Sequence, residues 1–374
     1  MSDAPRIVFF VPGLGVGGAE RHTIALRAAL ATRGLPSALF SHGPAQSPIL
    51  LAQPGAEQPL VFGLRGMSDL GGWMRVWREL RRVRPDVVIA VNQTPFIVTV
   101  ALGLLLRPRP KVACVFHTTE MQSFESRLQK LFIGAARFAD AMVFVGHNQR
   151  AHWEAQGLRT RLARVIENGV DLETFAPRPG ERDAMRERLG FTREEIVFGQ
   201  VGAFREEKNQ AEFVAALASA RAAGAIARGL FVGDGPTRAH VAQRAQDLGV
   251  ADALVFAGET GDVIPFINAC DVGVLSSTIE TFPLCALEFL GCGVPMIAAR
   301  VGGAPEIVTA ANGRLYTSGD VPGFAAAIVA LCDADTRARL AGAARSSVER
   351  FSHARMVDAY VDLIETLGDG RTPA

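Results

Sequence analysis

Short apolar runs alternate with longer segments of helical periodicity along most of this 374-residue chain. The runs include IVFFV at 7–11, VVIAV at 87–91 and VFGQV at 197–201. Such apolar strands are typical of parallel sheets that are covered by helices on both faces. Strands that alternate with helices indicate βαβ units. The pattern therefore predicts an α/β fold with doubly wound parallel sheets.

The alternation forms two series. The first predicts strands at 6–11, 37–41, 86–92, 111–116 and 141–145, and helices at 19–33, 72–83 and 95–106. The second predicts strands at 196–201, 229–232, 253–256, 271–275 and 295–298, and helices at 210–223, 236–248, 263–269, 284–292 and 324–332. There is no fixed-period repeat.

The two series meet near residues 166–195, which are rich in proline and charge and are predicted to form a linker. We expect a Rossmann-like N-terminal domain over 1–170 and a second over 171–350. A final helix within 351–374 is expected to pack back toward the first domain.

Charge changes this picture in one respect. The net charge is only +1, which disfavours a strong attraction to nucleic acid. However, residues 1–173 contain 20 basic and 13 acidic residues, a net charge of +7, whereas residues 174–374 contain 19 and 25, a net charge of −6. The two halves are therefore expected to have different partners.

Five cysteines are present, an odd number without CxxC spacing: Cys114, Cys270, Cys285, Cys292 and Cys332. A disulfide framework or zinc site is thus disfavoured, and a reducing compartment is indicated. The first strand has no basic segment before it and no cleavage site after it. The longest apolar run, 96–106, is too short to cross a bilayer. We expect a cytoplasmic protein.

The turn after the first strand reads GLGVGG at 13–18 and satisfies GxGxxG. A dinucleotide site would need an acidic residue about 20 positions later. After Glu20 the next acidic residue is Glu57, so nicotinamide binding is disfavoured. Two interpretations remain: a tight turn that allows close helix packing, or a flexible turn whose amides face a phosphate or sugar. We favour the second.

Glu280 and Glu288 lie eight residues apart around a predicted helix start. Pro283 suits the first helical position, so the free amides of Leu284 and Cys285 face outward, where an anion is favoured. Glu288 lies in an otherwise apolar helix and needs a partner. Sugar hydroxyls would serve, and a solvent-facing or ion-paired carboxylate is the alternative.

The second half has one lysine, Lys208, among 18 arginines, in the loop after the strand at 196–201. A lysine at a strand end can reach a phosphate as a point charge. The alternative is a solvated loop lysine that pairs with Glu206 or Glu207.

These segments occur in the order of a known family. They are GGAE at 17–20, VIENGVD at 165–171 with Phe175, the loop at 202–208, FVGDGP at 231–236, Glu280-x7-Glu288 with Phe282-Pro283 inside, and GGAPE at 302–306. Over nearly its whole length, the chain resembles the retaining, nucleotide-sugar-dependent glycosyltransferases of family 4. The resemblance implies the GT-B architecture, in which two Rossmann-like domains face a central cleft.

The resemblance also implies an activity: transfer of a sugar from a UDP- or GDP-sugar to a glycan or lipid-linked acceptor, with retention and without a metal or other cofactor. Glu288 would hold the ribose, and Glu280 would orient the donor sugar. Lys208 and the amides near Phe282 to Leu284 would hold the diphosphate.

In the N-terminal half, Gly17 and Gly18 would complete the phosphate side, and His117 matches the family histidine near the donor sugar. A capping or packing histidine is the alternative. The catalytic set is thus His117, Lys208 and Glu280. The donor-binding set is Gly17, Gly18, Arg205, Lys208, Glu280, Phe282, Pro283, Leu284 and Glu288.

The sequence departs from the family in two places. Ala203 stands where the family has arginine, and Glu167 where it prefers proline. Arg205 could supply the missing cation only if the strand has already ended and the chain turns.

The acceptor is expected at the N-terminal domain. The segment 75–84 is strongly basic and lies beside Trp73 and Trp77, with Arg107, Arg109 and Lys111 adding charge. A basic, aromatic helix suits the inner face of a membrane that carries a lipid-linked acceptor. The alternative is an ordinary solvated arginine face.

Two other functions were weighed. Another GT-B enzyme, such as an epimerase or a pyridoxal-dependent phosphorylase, is disfavoured because the lone lysine of the second half already lies in the phosphate loop. A non-catalytic nucleotide-sugar-binding protein is mildly favoured by Ala203 and opposed by His117, Lys208 and the two glutamates.

Overall fold

The structure is a computed structural model that describes residues 4–15, 18–44, 47–56, 59–66, 68–118 and 126–368. The chain divides into two compact units. One contains the residues up to Asn168 together with those from Ala354 onward, and the other is Gly169–His353. The first division falls two residues before the expected boundary at 170.

The first unit is built on a parallel sheet of seven strands in the order β3-β2-β1-β4-β5-β6-β7 within the described residues. Its strands are β1 Ile7–Val11, β2 Ser37–Ser41, β3 Leu60–Val61, β4 Val87–Val91, β5 Lys111–Phe116, β6 Ala141–Phe144 and β7 Ala163–Val165. Its helices are α1 Gly18–Thr32, α2 Pro48–Leu51, α3 Leu70–Val83, α4 Gln93–Gly103, α5 Ser126–Ala136 and α6 His147–Ala155.

The second unit has a six-stranded parallel sheet in the order β10-β9-β8-β11-β12-β13. The strands are β8 Ile196–Val201, β9 Ala227–Val232, β10 Leu254–Phe256, β11 Val272–Leu275, β12 Met296–Ala299 and β13 Gly313–Tyr316. The helices are α7 Pro179–Arg188, α8 Gln210–Ala222, α9 Arg238–Asp247, α10 Ile264–Ala269, α11 Leu284–Gly291, α12 Ala304–Ile307, α13 Val321–Cys332 and α14 Ala334–Ser347. The last helix, α15 His353–Gly368, belongs to the first unit from Ala354 onward.

Both sheets are doubly wound, which confirms the predicted fold class. Strands β1 and β4 are buried at every position, because helices cover both faces of a parallel sheet. In each sheet the strand order reverses once, between β1 and β4 and between β8 and β11. Such switch points open a crevice at the carboxyl ends of the strands, where ligands bind in open α/β sheets.

The expected linker was wrong in part, because the proline-rich stretch contains helix α7. Pro179 lies in the first turn, where a missing amide costs nothing. Arg182 and Arg186 then reach Asp271, just before β11, at 2.6 Å and 3.0 Å. These bonds fix α7 to the second sheet. The linker prediction missed them because the composition of a segment does not show ion pairs with distant residues.

None of the helices in the described ranges combines the length and apolar content that a membrane span requires.

Candidate active site

Four loops follow the neighbouring strands β9, β8, β11 and β12 of the second sheet, and all four leave from its carboxyl edge. The loops after β8 and β11 flank the switch point. Their backbones are joined where the Thr278 amide donates to the Glu207 carbonyl at 2.8 Å. The loop that carries Lys208 therefore lies directly beside the loop that carries Glu280.

Lys208 is fixed through its backbone. It ends a short 3-10 turn, Glu206–Lys208, and the next residue, Asn209, has a φ of 48°. The Gln200 side chain donates to the Lys208 carbonyl at 3.0 Å, and the Ser276 hydroxyl lies 2.9 Å from the same oxygen. Gln200 lies on β8 and Ser276 directly follows the adjacent strand β11, and both side chains are buried, so the sheet sets the position of Lys208.

The Lys208 ammonium forms an ion pair with Glu280 at 2.6 Å. The same oxygen, Oε1 of Glu280, accepts the Ser277 hydroxyl at 2.7 Å. The side chains are 29% and 9% exposed, so the pair is largely withdrawn from water. The alternative in which Lys208 pairs with Glu206 or Glu207 in solvent is wrong. The structure instead joins two residues that the sequence had singled out separately.

Burial alone would lower the pKa of Lys208, but the Glu280 carboxylate and the nearby Cys285 thiol outweigh it, and the pKa lies above its usual 10.5. Lys208 is therefore protonated throughout the neutral pH range. A phosphate that enters this edge of the sheet meets a fixed positive charge.

The backbone of Glu280 is held from its other side by Gly302 and Gly303, after β12. Gly302 has a φ of 48°, and a Cβ there would lie 1.6 Å from the Glu280 carbonyl oxygen. The Gly303 amide donates to the Thr281 carbonyl at 3.0 Å. Only glycine allows this close approach, which explains why the GGAPE segment lies beside the E-x7-E signature.

Helix α11 begins at Leu284, and Pro283 caps it with an extended ψ of 111°. The expectation that Pro283 takes the first helical position was wrong by one residue. Leu284 and Cys285 still lie in the first turn, where amides have no acceptor within the helix. The Phe282 ring is buried against Phe351, at 5.4 Å between centroids, so the ring is a packing group.

Glu288 is only 7% exposed, so its solvent-facing alternative is wrong. It lies on α11 one turn after Cys285, whose amide was expected at the anion site but whose thiol was given no role. The pKa of the Cys285 thiol is raised to about 12, mainly by burial and also by Glu280 and Glu288, while Lys208 opposes the rise. The Cys285 thiol thus lies within the field of all three charges. The position of Cys285 between Glu280 and Glu288 in the sequence is the signal that could have assigned its thiol to the site.

Arg205 meets the condition set for it, because β8 ends at Val201 and the chain has turned at Gly202, with a φ of 152°. Its guanidinium is half exposed and lies 3.9 Å from Glu207. The Lys208 amide donates to the Arg205 carbonyl at 3.0 Å, but no hydrogen bond or ion pair joins the Arg205 guanidinium to the Lys208–Glu280 pair among the described residues. Its role as a substitute for the family arginine stays a prediction.

In the first unit, the glycine turn follows β1 at the switch point of that sheet. Val16 and Gly17 lie outside the described residues, and Gly18 begins α1. A Cβ at Gly15 would meet nothing within 4 Å. The interpretation that glycine is needed there for close helix packing is therefore wrong at Gly15.

His117 comes directly after β5, and its amide donates to the Asn92 side chain at 2.9 Å. Its Nε2 is buried and has no hydrogen-bond partner among the described residues. Burial lowers the pKa of His117 from 6.5 to about 4. The imidazole is thus neutral at physiological pH and can act through a hydrogen bond rather than a positive charge.

No group of three or more His, Cys, Asp or Glu side chains in the described part of the chain is arranged to hold a metal ion.

Two families match this chain. Residues 16–174 match the family described as Glycosyltransferase Family 4, and residues 195–334 match Glycosyl transferases group 1.

Two relatives illustrate the likeness. One is the UDP-Gal:alpha-D-GlcNAc-diphosphoundecaprenol alpha-1,3-galactosyltransferase of Escherichia coli, 28% identical over 79% of each chain. The other is a GDP-mannose-dependent alpha-(1-6)-phosphatidylinositol dimannoside mannosyltransferase of Mycobacterium tuberculosis, 30% identical over 62% of this chain and 65% of that protein.

Among solved structures, HepE of Anabaena in complex with UDP superimposes with a TM-score of 0.86 at 22% identity, over 96% of this chain and 100% of that one. That likeness shows the fold. The two family matches, one over most of the first unit and one over most of the second, show that the chain belongs to the family 4 glycosyltransferases.

Proposed function

We propose that this protein is a retaining, metal-independent glycosyltransferase that moves a sugar from a UDP- or GDP-sugar to a lipid-linked or glycan acceptor. The observation that carries the proposal is the Lys208–Glu280 pair at the switch point of the second sheet. It brings one fixed cation and one carboxylate to the edge where α/β sheets bind ligands.

The chemistry of transfer suits these groups. Cleavage of the bond between sugar and diphosphate leaves negative charge on the phosphate and develops positive charge on the sugar. Lys208 and the first-turn amides of α11 would stabilise the leaving diphosphate. Fixed cations and amides can stabilise the leaving diphosphate without a metal or other cofactor. The proposed reaction therefore needs only the donor and the acceptor.

The two glutamates take separate roles in this proposal. When a phosphate of the donor binds the Lys208 ammonium, Glu280 is released from its ion pair. The Glu280 carboxylate then accepts hydrogen bonds from the donor sugar. Glu288, buried on α11, accepts from the ribose hydroxyls. Gly18 and His117 of the first unit complete the proposed set, with Gly17 and Arg205.

The acceptor is proposed to be lipid-linked, in the cytoplasm at the inner face of a membrane. The two relatives described above act, by their names, on a diphosphoundecaprenol-linked sugar and on phosphatidylinositol dimannoside. In the first unit, α3 offers a surface for such a membrane, although a different one from that expected from sequence.

Trp73 and Trp77 of α3 pack against the core rather than facing solvent. The exposed apolar residues are Leu70 and Met74, at 76% and 47%, and Arg78 continues their spacing of four. Arg81 and Arg82 extend the exposed face. Apolar residues followed by arginines on one face are typical of helices that lie on anionic membranes.

The function is tested by measuring the release of nucleoside diphosphate from UDP- and GDP-sugars, with EDTA and with added Mg²⁺. We expect turnover of at least one donor at the same rate in both conditions, and a product with the anomeric configuration of the donor. Loss of activity in EDTA that Mg²⁺ restores would contradict metal independence. Binding without turnover of any donor, across a panel of lipid-linked acceptors, would favour the non-catalytic alternative.

Lys208→Ala should lower kcat at least 100-fold, about 2.7 kcal/mol, because its charge counts more as the diphosphate gains charge in the transition state. Arg244→Ala is the control, since it removes an exposed cation of the second unit that lies outside the proposed donor-binding set, and it should retain most activity. Thermal melting shows whether each variant is folded. Full activity in Lys208→Ala would assign the role to another cation.

The two glutamates are predicted to differ. Glu288→Gln should weaken the binding of UDP or GDP, measured by calorimetry, because a charge-assisted hydrogen bond to ribose is lost. Glu280→Gln should leave nucleotide binding within a few-fold and lower kcat, since it meets the sugar rather than the nucleotide. If both variants bind and turn over like the wild type, the donor site is elsewhere.

Membrane contact is tested by co-sedimentation with anionic vesicles. Each basic residue near such a surface contributes about 1 kcal/mol, so changing Arg78, Arg81 and Arg82 to Glu should abolish binding, and high salt should weaken it. The control changes three exposed arginines of the second unit, Arg244, Arg314 and Arg339, to Glu. Equal sedimentation of the α3 variant and the wild type would make α3 an ordinary solvated helix.

A further inference from the structure

Three aromatic rings form a continuous column in the first unit; His22 and Tyr360 are buried, and His117 is partly buried with its Nε2 inside. The ring of His22, on α1, lies 4.9 Å from the ring of His117, at an interplanar angle of 67°. On its other side, His22 lies 6.1 Å from the ring of Tyr360, on α15, at 65°. Both contacts are edge-to-face, the arrangement that aromatic rings prefer. The column joins the carboxyl end of β5 to the C-terminal helix.

The column bears on His117 because little else fixes that ring. The hydrogen bond from His117 to Asn92 uses the backbone amide and does not hold the ring. Its Nε2 has no hydrogen-bond partner among the described residues. The direction in which the ring points is therefore set by packing, and the His22 ring is the aromatic neighbour that packs against it.

His22 is itself placed by two elements. It lies one turn after Gly18 on α1, so it moves with the helix that follows the glycine turn. Tyr360, on α15, forms the other end of the column. Both His22 and Tyr360 are buried. The Tyr360 hydroxyl has no hydrogen-bond partner among the described residues, so the ring rather than the hydroxyl is the part that acts in the column.

We propose that His22 and Tyr360 are positioning residues that hold the His117 imidazole in a single, dry orientation for sugar transfer. The inference rests on the proposed function, in which His117 takes part in the reaction. It gives the C-terminal helix a task beyond completing the fold, because Tyr360 reaches His117 through His22.

The test compares ring removal with ring retention. Tyr360→Leu and His22→Ala remove a ring from the column, whereas Tyr360→Phe and His22→Phe keep one. Ring removal should lower kcat about tenfold or more, with donor KM within twofold, because a misplaced reacting group costs rate rather than binding. The two phenylalanine variants should restore kcat to within about threefold. Phe40→Leu, in a separate cluster of the same core, controls for lost stability.

A second readout does not depend on activity. NMR titration of the His117 ring should give a pKa of about 4 in the wild type and in both phenylalanine variants. In the ring-removed variants, water that enters beside His117 should move this pKa toward 6.5, and Phe40→Leu should leave it unchanged. An unchanged pKa together with unchanged kcat in His22→Ala would overturn the proposal, as would an equal effect of Phe40→Leu. If the wild type transfers no sugar, the proposed function fails, and the titration still decides whether the column holds His117.

Discussion

The proposed donor site depends on two opposite charges, Lys208 and Glu280, which lie 2.6 Å apart at the switch point of the second sheet. Removing a lysine and a glutamate from water is costly, and a buried pair contributes little net stability. In this protein the surrounding structure holds both residues of the pair in place. Gln200 and Ser276 hold the backbone of Lys208, while Gly302 and Gly303 hold that of Glu280. Each charge satisfies the other, and we propose that a ligand with a phosphate and hydroxyl groups replaces both partners.

Much of the fold could be predicted from sequence because the central strands are buried on both faces. The strands at 37–41, 111–116 and 196–201 have the predicted bounds. The sequence argument missed the edge strands β3, β7 and β13, which are short and only partly covered, so that no apolar run marks them. It also mistook α7 for a linker, because the partner of its arginines lies some 85 residues away.

The candidate site residues could be proposed from sequence because their spacing is local, whereas their partnerships are not local. The E-x7-E spacing and the lone lysine pointed to Glu280 and Lys208 separately, and their separation of 72 positions hid their ion pair. Cys285 was passed over because a cysteine in an apolar helix is usually a packing residue. In the first unit, the contact of His117 with His22 joins residues 95 positions apart, which no spacing rule connects.

The most direct measurement is a crystal structure with a bound nucleotide sugar, such as UDP-glucose or GDP-mannose. We predict a phosphate oxygen within hydrogen-bond distance of the Lys208 ammonium and ribose hydroxyls that donate to Glu288. The Glu280 carboxylate should no longer contact Lys208 and should instead accept hydrogen bonds from the donor sugar. An ordered nucleotide bound elsewhere, with the Lys208–Glu280 pair still closed at 2.6 Å, would contradict this prediction.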